Sequence, residues 1–260
     1  MVVQLSPVPR GMPGVVLAAG KGTRMQAGAP KAAVELAGRP LAARVLDALR
    51  GAGIQRIVAV IGHRGPEVRA ALGDDLEFAV QPQQLGTGHA LQCAASCLRG
   101  YVGPVVVSYA DIPLLTAGDL IDLVAHHIDT GAAATITTAV FDDPGTLGRV
   151  VRAADGRVSA IVEAKDATPQ QLQIREINVG LYCFEAPLIF DILREVRNDN
   201  AQRQYYLTDA IGLLVARGEP VEAVPLREAY AGLGVDTVRD LSRAESLLRG
   251  MRARRASMAG

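Results

Sequence analysis

Apolar runs at 15–17, 57–61, 77–80 and 105–109 alternate with segments of helical periodicity, and this alternation constrains the fold more than any other feature. Strands that are apolar on both faces and joined by helices form a mostly parallel sheet covered on each side. The first helix starts at Pro40, carries Leu41, Val45 and Leu49 on one face, and stops at Gly51. A short helix at 67–72, one capped by Thr87 and running to about 98, and one at 120–127 complete this half. The pattern changes near residue 132. Residues 134–140 are β-branched and strand-like, and 150–152 and 158–162 flank Asp155-Gly156, a hairpin signal. A strand at 177–184, helices at 188–196 and 208–216, a strand at 221–224 and a last helix at 238–251 follow. The expectation is one α/β domain over 14–245, with a nucleotide-binding half at about 14–132. A smaller antiparallel lobe at about 133–236 holds a second substrate. Residues 1–13 read as an N-terminal tail, and 246–260 as a helix end with a basic tail.

Lys and Arg total 27, as do Asp and Glu, so the formal net charge is zero. A bulk electrostatic binder of nucleic acid or of a membrane surface carries a basic excess, so neither partner is expected. Hydrophobic residues at 49% against 21% charged residues exclude a disordered chain. No apolar run reaches the roughly 18 residues of a membrane span. Residues 1–13 contain Pro7, Pro9 and Pro13 and lack the apolar core of a secretory leader, so the expected compartment is the cytoplasm. Cys93, Cys97 and Cys183 form neither a C-x-x-C pair nor an even set and read as small core hydrophobes. Among the basic residues only Lys21, Lys31 and Lys165 are lysine. Where arginine is the default, a lysine points to a need for a compact ammonium.

The chemistry-bearing positions cluster at strand ends. Leu17-Ala18-Ala19-Gly20-Lys21-Gly22-Thr23-Arg24 leaves the first strand at its C-terminal end, where open α/β sheets bind ligands. Its glycines let backbone amides approach phosphate oxygens, and Lys21 and Arg24 add positive charge. It is neither a Walker loop, since Gly22 follows Lys21, nor a dinucleotide fingerprint, since Met25 stands at the third glycine. Lys31, behind Pro30, is placed to neutralise a leaving phosphate. Asp111 ends the fourth strand and suits Mg²⁺, with a helix-capping aspartate as the plain alternative. Asp236, before the last helix, carries the same two readings. Gln81, with Gly86 and Thr87 close behind, offers an amide and loop groups that can read a base edge. His89 reads as a helix-start histidine and His126-His127 as a surface pair. Glu163, Lys165 and Asn178 lie at strand ends of the second half, where polar groups suit sugar hydroxyls or, equally, decorate a hairpin edge.

Taken in order, these pieces resemble the sugar-phosphate nucleotidylyltransferases, and most closely the uridylyltransferase half of the bifunctional enzymes that make UDP-N-acetylglucosamine. The resemblance runs through Leu-x-x-Gly-x-Gly-Thr-Arg-Met, Pro30-Lys31, Gln81, Leu85-Gly86-Thr87-Gly88-His89-Ala90 and Asp111-Ile112-Pro113-Leu114. It continues through Asp142-Asp143-Pro144, Gly148-Arg149, Ile161-Val162-Glu163 with Lys165-Asp166-Ala167, Glu176-Ile177-Asn178, Tyr205-Tyr206-Leu207-Thr208-Asp209 and Gly234-Val235-Asp236. All three lysines fall inside these motifs. The resemblance implies a Rossmann-like mixed sheet with a small sugar-binding lobe, the nucleotide-diphospho-sugar transferase type. It implies UTP and a sugar-1-phosphate, N-acetylglucosamine-1-phosphate first, as substrates and Mg²⁺ as cofactor. Leu17, Ala18, Ala19, Gly20, Lys21 and Gly22 would contact the nucleotide, and Gln81, Gly86 and Thr87 its base. Arg24, Lys31 and Asp111 would be catalytic, with Asp111 and Asp236 on the metal. Tyr109, Ala110, Gly148, Glu163 and Asn178 would cradle the sugar.

Five positions depart from the family's usual residues: Asp236 for Asn, Ala110 for Gly, Val179 for Thr, Leu147 for an aromatic and Gln204 for Glu. Ala110 is expected to turn its methyl group to the ligand, and Val179 to lack a hydrogen bond near the sugar. These departures keep open another pair, UTP or dTTP with a different hexose-1-phosphate. A non-catalytic sugar-nucleotide regulator would be expected to have lost a phosphate cation or metal carboxylate, and Arg24, Lys31, Asp111 and Asp236 are all present. The sequence contains no hexapeptide repeat, so the acetyl-transfer step of the bifunctional enzymes would fall to a separate partner or to a longer chain of which this is a piece.

Overall fold

The computed structural model describes residues 7–25 and 28–258, without the side chains of 252 and 254–258. Most of the N-terminal tail and the Arg252, Arg254 and Arg255 side chains therefore lie outside the described residues. The first half contains β1 (Pro13–Leu17), the short pair β2 (Glu35–Leu36) and β3 (Arg39–Pro40), α1 (Leu41–Gly51), β4 (Arg56–Ile61) and α2 (Gly65–Leu72). It continues with β5 (Glu77–Val80), α3 (Thr87–Cys93), β6 (Pro104–Tyr109) and α4 (Ala117–Thr130). The second half contains β7 (Ala134–Val140), β8 (Arg149–Arg152), β9 (Val158–Val162), α5 (Pro169–Leu172), β10 (Glu176–Glu185) and α6 (Ala186–Ile192). It closes with α7 (Asp209–Ala216), β11 (Val221–Pro225) and α8 (Val238–Met258).

The main sheet runs β11-β7-β10-β6-β1-β4-β5. β1 lies parallel to both β4 and β6, β5 parallel to β4, and β11 parallel to β7, while β10 runs against β6 and β7. The hairpin β8–β9 joins this sheet through β10 and forms the small lobe. This is the mixed, mostly parallel α/β fold expected from the alternation. Because side chains alternate across a strand, Val16 and Val106 enter one core layer with Leu46, Leu49, Leu123 and Val124. Val15, Val58 and Val107 enter the other, with Leu91, Tyr182, Phe184 and Ile211. The chain moves outward from β1 through β4 to β5, then returns to β6 on the far side of β1. That reversal opens a crevice at the C-terminal ends of β1 and β6.

Several boundaries differ from the sequence expectation for local reasons. Thr87 does not cap α3; Gly86 precedes the helix at φ 117°, and the Thr87 hydroxyl accepts from the Leu207 amide at 2.9 Å. α3 ends at Cys93 and tightens into a 3-10 turn at Ala94–Ser96, short of residue 98. α6 starts at Ala186, because a proline is well accommodated in the first helical turn. α8 is capped by Thr237, whose hydroxyl accepts from the Asp240 amide at 3.2 Å while the Asp240 carboxylate returns to the Thr237 amide at 2.8 Å. Asp236 is therefore not the cap, and its carboxylate is free for other work. His127 is 1% exposed, not a surface residue, and its Nδ1 lies 2.9 Å from the Thr135 hydroxyl. All three cysteines are free, with Cys183 buried.

One glycine sets how closely β10 approaches β6. Gly180 has φ 89°, and a Cβ there would lie 2.4 Å from the Tyr109 ring. Gly180→Ala should therefore destabilise the fold by about 2 kcal/mol, lowering the melting temperature by roughly 4–8 °C. Thermal unfolding followed by circular dichroism checks this, and an unchanged melting temperature contradicts it.

Candidate active site

The crevice is built first from the end of β1. The Ala18 amide donates to Val60 O at 2.8 Å, and Leu17 O accepts from the Ala110 amide at 3.2 Å. Beyond this ladder, the amides of Gly20, Lys21 and Gly22 donate to no group among the described residues. Unspent amides at a strand end are a cradle for an anion. Gly22 has φ 59°, and a Cβ on it would sit 2.4 Å from the Lys31 Cβ, so only glycine lets the loop pass over Lys31. Lys21 is exposed and forms no ion pair among the described residues.

Lys31 begins the 3-10 turn Lys31–Ala33, and its ammonium reaches both Asp111 and Asp236. Its side chain is 12% exposed, and those of the two carboxylates are 26% and 28%. Burial by itself would lower the Lys31 pKa, but attraction to Asp111 and then Asp236 outweighs it and raises the value, so the ammonium stays charged. The Val235 amide donates to Asp111 O at 2.8 Å, which pins the two aspartate loops side by side. Arg24 reaches Asp236 at 3.0 Å from the solvent side, where its side chain is 58% exposed. Two carboxylates that converge on one cation also fit a divalent ion, and two protein oxygens leave positions for phosphate oxygens and water. Among the described residues no group of three or more His, Cys, Asp or Glu converges.

The candidate base site lies at the end of β5. Gln81 is 3% exposed, and its Nε2 donates to Gly86 O at 2.9 Å. The segment before α7 clamps this loop: the Tyr205 amide donates to Leu85 O at 2.7 Å, and the Gly88 amide to Tyr205 O at 2.8 Å. A Cβ on Gly86 would lie 2.5 Å from Tyr205 O, so this contact requires glycine.

The candidate sugar site lies between β6, β9 and β10. Asn178 Nδ2 donates to the Tyr182 hydroxyl at 2.7 Å, and Tyr182 donates to the Tyr109 hydroxyl at 3.2 Å. Burial pushes the Tyr109 pKa well up, with Glu163 adding to it, so the phenol is neutral and serves as a hydrogen-bond group, not as a base. Glu163, at the end of β9, accepts from the Thr208 hydroxyl at 2.9 Å. A Cβ on Gly148 would lie 3.2 Å from Ile161 Cγ2 and 3.6 Å from both Glu163 carboxylate oxygens, so this position borders the carboxylate directly. Lys165 turns away to Gln202 at 2.8 Å. Two expectations need correction. Ala110 is 4% exposed and packs in the core layer below the cleft, so its methyl group does not face ligand. Val179 is also a core residue, pressed on by Gly232, whose Cβ would lie 2.9 Å from it. Both departures from the family are packing changes.

Sequence reasoning missed Tyr182 and gave no role to Thr208 beyond its place in the Tyr205–Asp209 motif; both are fully buried and hold Asn178 and Glu163 in place. The alternation of β10 puts Tyr182 on the same face as Asn178 and Gly180, and that period was the available signal. It likewise assigned no role to Asp209 of that motif, at the start of α7, whose carboxyl is pushed up to about 6 by burial and then by the Glu163 and Asp166 charges. A carboxyl with a raised folded-state pKa disfavours the fold when ionised. Its contribution is least harmful below the usual 3.8 and worsens as pH rises through about 6. The melting temperature of Asp209→Asn relative to the parent should therefore climb between about pH 4 and about pH 6 and level off above about pH 7. Thermal scans across that range check the sign, and a flat difference removes the interpretation.

Residues 14–206 match the model of the MobA-like NTP transferase domain family. The chain is 44% identical over 237 residues to the bifunctional protein GlmU of Pelobacter propionicus, covering 90% of this chain and 52% of that protein. It is 42% identical over 245 residues to GlmU of Carboxydothermus hydrogenoformans, covering 94% and 54%. It is 44% identical over 224 residues to GlmU of Geobacter sulfurreducens, covering 85% and 47%. The chain thus spans about half the length of the curated relatives it matches. With most of the domain matched and the strand-end loop, paired aspartates and buried lysine in one crevice, the chain belongs to the MobA-like NTP transferase family and is a nucleotidyltransferase.

Proposed function

We propose that this nucleotidyltransferase transfers UMP from UTP to N-acetylglucosamine-1-phosphate, releasing pyrophosphate and forming UDP-N-acetylglucosamine. The observation that carries the reading is the Lys31 ammonium held between Asp111 and Asp236 beneath a loop of unspent amides. A phosphate oxygen of the sugar phosphate attacks the α-phosphorus, and the bond from that phosphorus to the bridging oxygen breaks. The nucleophile is already an anion, so no general base is required, and the work is positioning and charge neutralisation. Lys31 and Arg24 supply fixed positive charge to the phosphates, and the amides of Gly20, Lys21 and Gly22 bind their oxygens. Asp111 and Asp236 would hold Mg²⁺, which neutralises phosphate charge when bound. Lys31 then exchanges part of its carboxylate contact for phosphate.

Gln81, Gly86 and Thr87 are the base site in this reading. Tyr109, Gly148, Glu163 and Asn178 are the sugar site, with Glu163 accepting from a hydroxyl. Asn178 has one amide hydrogen committed to Tyr182 and keeps its second for the sugar. Because Ala110 and Val179 lie in the core, these departures give no reason to prefer another hexose over the N-acetylated sugar.

The test is pyrophosphate release with UTP, N-acetylglucosamine-1-phosphate and Mg²⁺, beside glucose-1-phosphate and dTTP. Release is expected with the first pair well above the others. Turnover confined to another pair moves the substrate, and none with any pair removes the reading. Lys31→Ala and Asp111→Asn should each lower kcat by about 100-fold or more, with circular dichroism showing each variant folded at the assay temperature, since Lys31→Ala also leaves Asp111 and Asp236 unneutralised. Full turnover in either variant contradicts the assigned roles.

A further inference from the structure

Gln81 sits where a base would lie, and its amide can be oriented two ways. The surroundings decide which. Gly86 O is a carbonyl and only accepts, so the Gln81 atom 2.9 Å from it is the amide nitrogen. The same nitrogen lies 3.0 Å from Nδ1 of His89. With one hydrogen given to Gly86, the second points at His89, so Nδ1 must be the accepting nitrogen of a neutral ring. The other nitrogen, Nε2, then carries the hydrogen and faces the Cys93 sulfur at 4.0 Å, one helical turn along α3. Both Gln81 hydrogens are thereby spent inside the protein. Its carbonyl oxygen takes no hydrogen bond from the described residues and is left for a ligand.

We propose that His89 is a positioning residue that, by accepting from Gln81, holds the Gln81 carbonyl oxygen toward the ligand and makes the base site select a base with an N–H on its pairing edge. The inference rests on the reading of Gln81 as the base-recognition residue. Uracil and thymine present N3–H and pair with that oxygen. Cytosine presents an unprotonated N3, which faces the oxygen acceptor to acceptor and loses the bond. The arrangement separates UTP from CTP and leaves UTP and dTTP to be separated elsewhere. Without an acceptor at residue 89, one Gln81 hydrogen is buried and unpaired, which favours rearrangement of the amide toward the cleft.

Two shape-matched variants test this. In His89→Asn the side-chain oxygen occupies the place of Nδ1 and still accepts. In His89→Leu a methyl group occupies it and does not. Equilibrium binding of UTP and of CTP to the full chain with Mg²⁺, by calorimetry, reads the effect without reference to the sugar. The parent should bind UTP more tightly than CTP, and His89→Asn should stay within about twofold of the parent. His89→Leu should weaken UTP by about tenfold with little change for CTP, the size of one lost hydrogen bond. A purely structural role for His89 moves both variants together. Equal UTP affinity in the two variants, or an unchanged UTP-to-CTP ratio in His89→Leu, overturns the inference and leaves the base site itself standing. A parent that binds UTP no more tightly than CTP overturns the base assignment and this inference with it.

Discussion

The Lys31 ammonium ties together three parts of the chain that are remote in sequence, 80 residues from Asp111 and 205 from Asp236. The rest of the crevice depends on that junction. Asp111 can be there because β6 pairs beside β1 and ends level with it. Asp236 can be there because Thr237 and Asp240 cap α8 and release its carboxylate. Lys31 itself passes beneath Gly22, a position where a methyl group would collide. Without a ligand the lysine neutralises two carboxylates that would otherwise repel. With a nucleotide and a cation, the same three groups can redistribute charge without unpaired ions in a partly buried site.

On the proposed reading, the two halves would meet the ligand differently. The nucleotide half presents backbone amides and a few fixed cations at strand ends, which suits phosphate. The proposed sugar site presents side chains held from behind by buried partners: Asn178 of the second half and Tyr109 at the end of β6 through Tyr182, and Glu163 through Thr208. These partners, Tyr182 and Thr208, are fully buried. They restrict the rotamers of the groups they hold, which would lower the entropy lost on binding. The segment carrying Tyr205 links the halves, because it clamps the base loop at Leu85 and Gly88 and leads directly into Thr208 and Asp209.

Much of the fold was legible in the residues. The strands with continuous apolar runs were found where they occur, because burial on both faces leaves little choice of residue. The Asp155-Gly156 turn was also legible, and Gly156 has φ 84° as such a turn demands. Helix ends were less so. Thr87 looks like a cap, yet its hydroxyl serves the Leu207 backbone 120 residues away, a competition no local pattern reveals. His127 looks like half of an exposed pair, yet α4 turns it into the core, where Thr135 offers it a partner.

By itself the sequence determined the alternating α/β plan, the loop after β1, and the residue types able to meet phosphate, base and sugar, since these follow from local periodicity and functional-group chemistry. Only the tertiary structure decided which of them converge. It brought Lys31 to two aspartates, committed both hydrogens of Gln81, sent Lys165 elsewhere, and turned Ala110 and Val179 into the core. Each of those outcomes depends on contacts between segments far apart in the chain. Hydrogen-bond partners and packing neighbours exist only once the sheet order has been set.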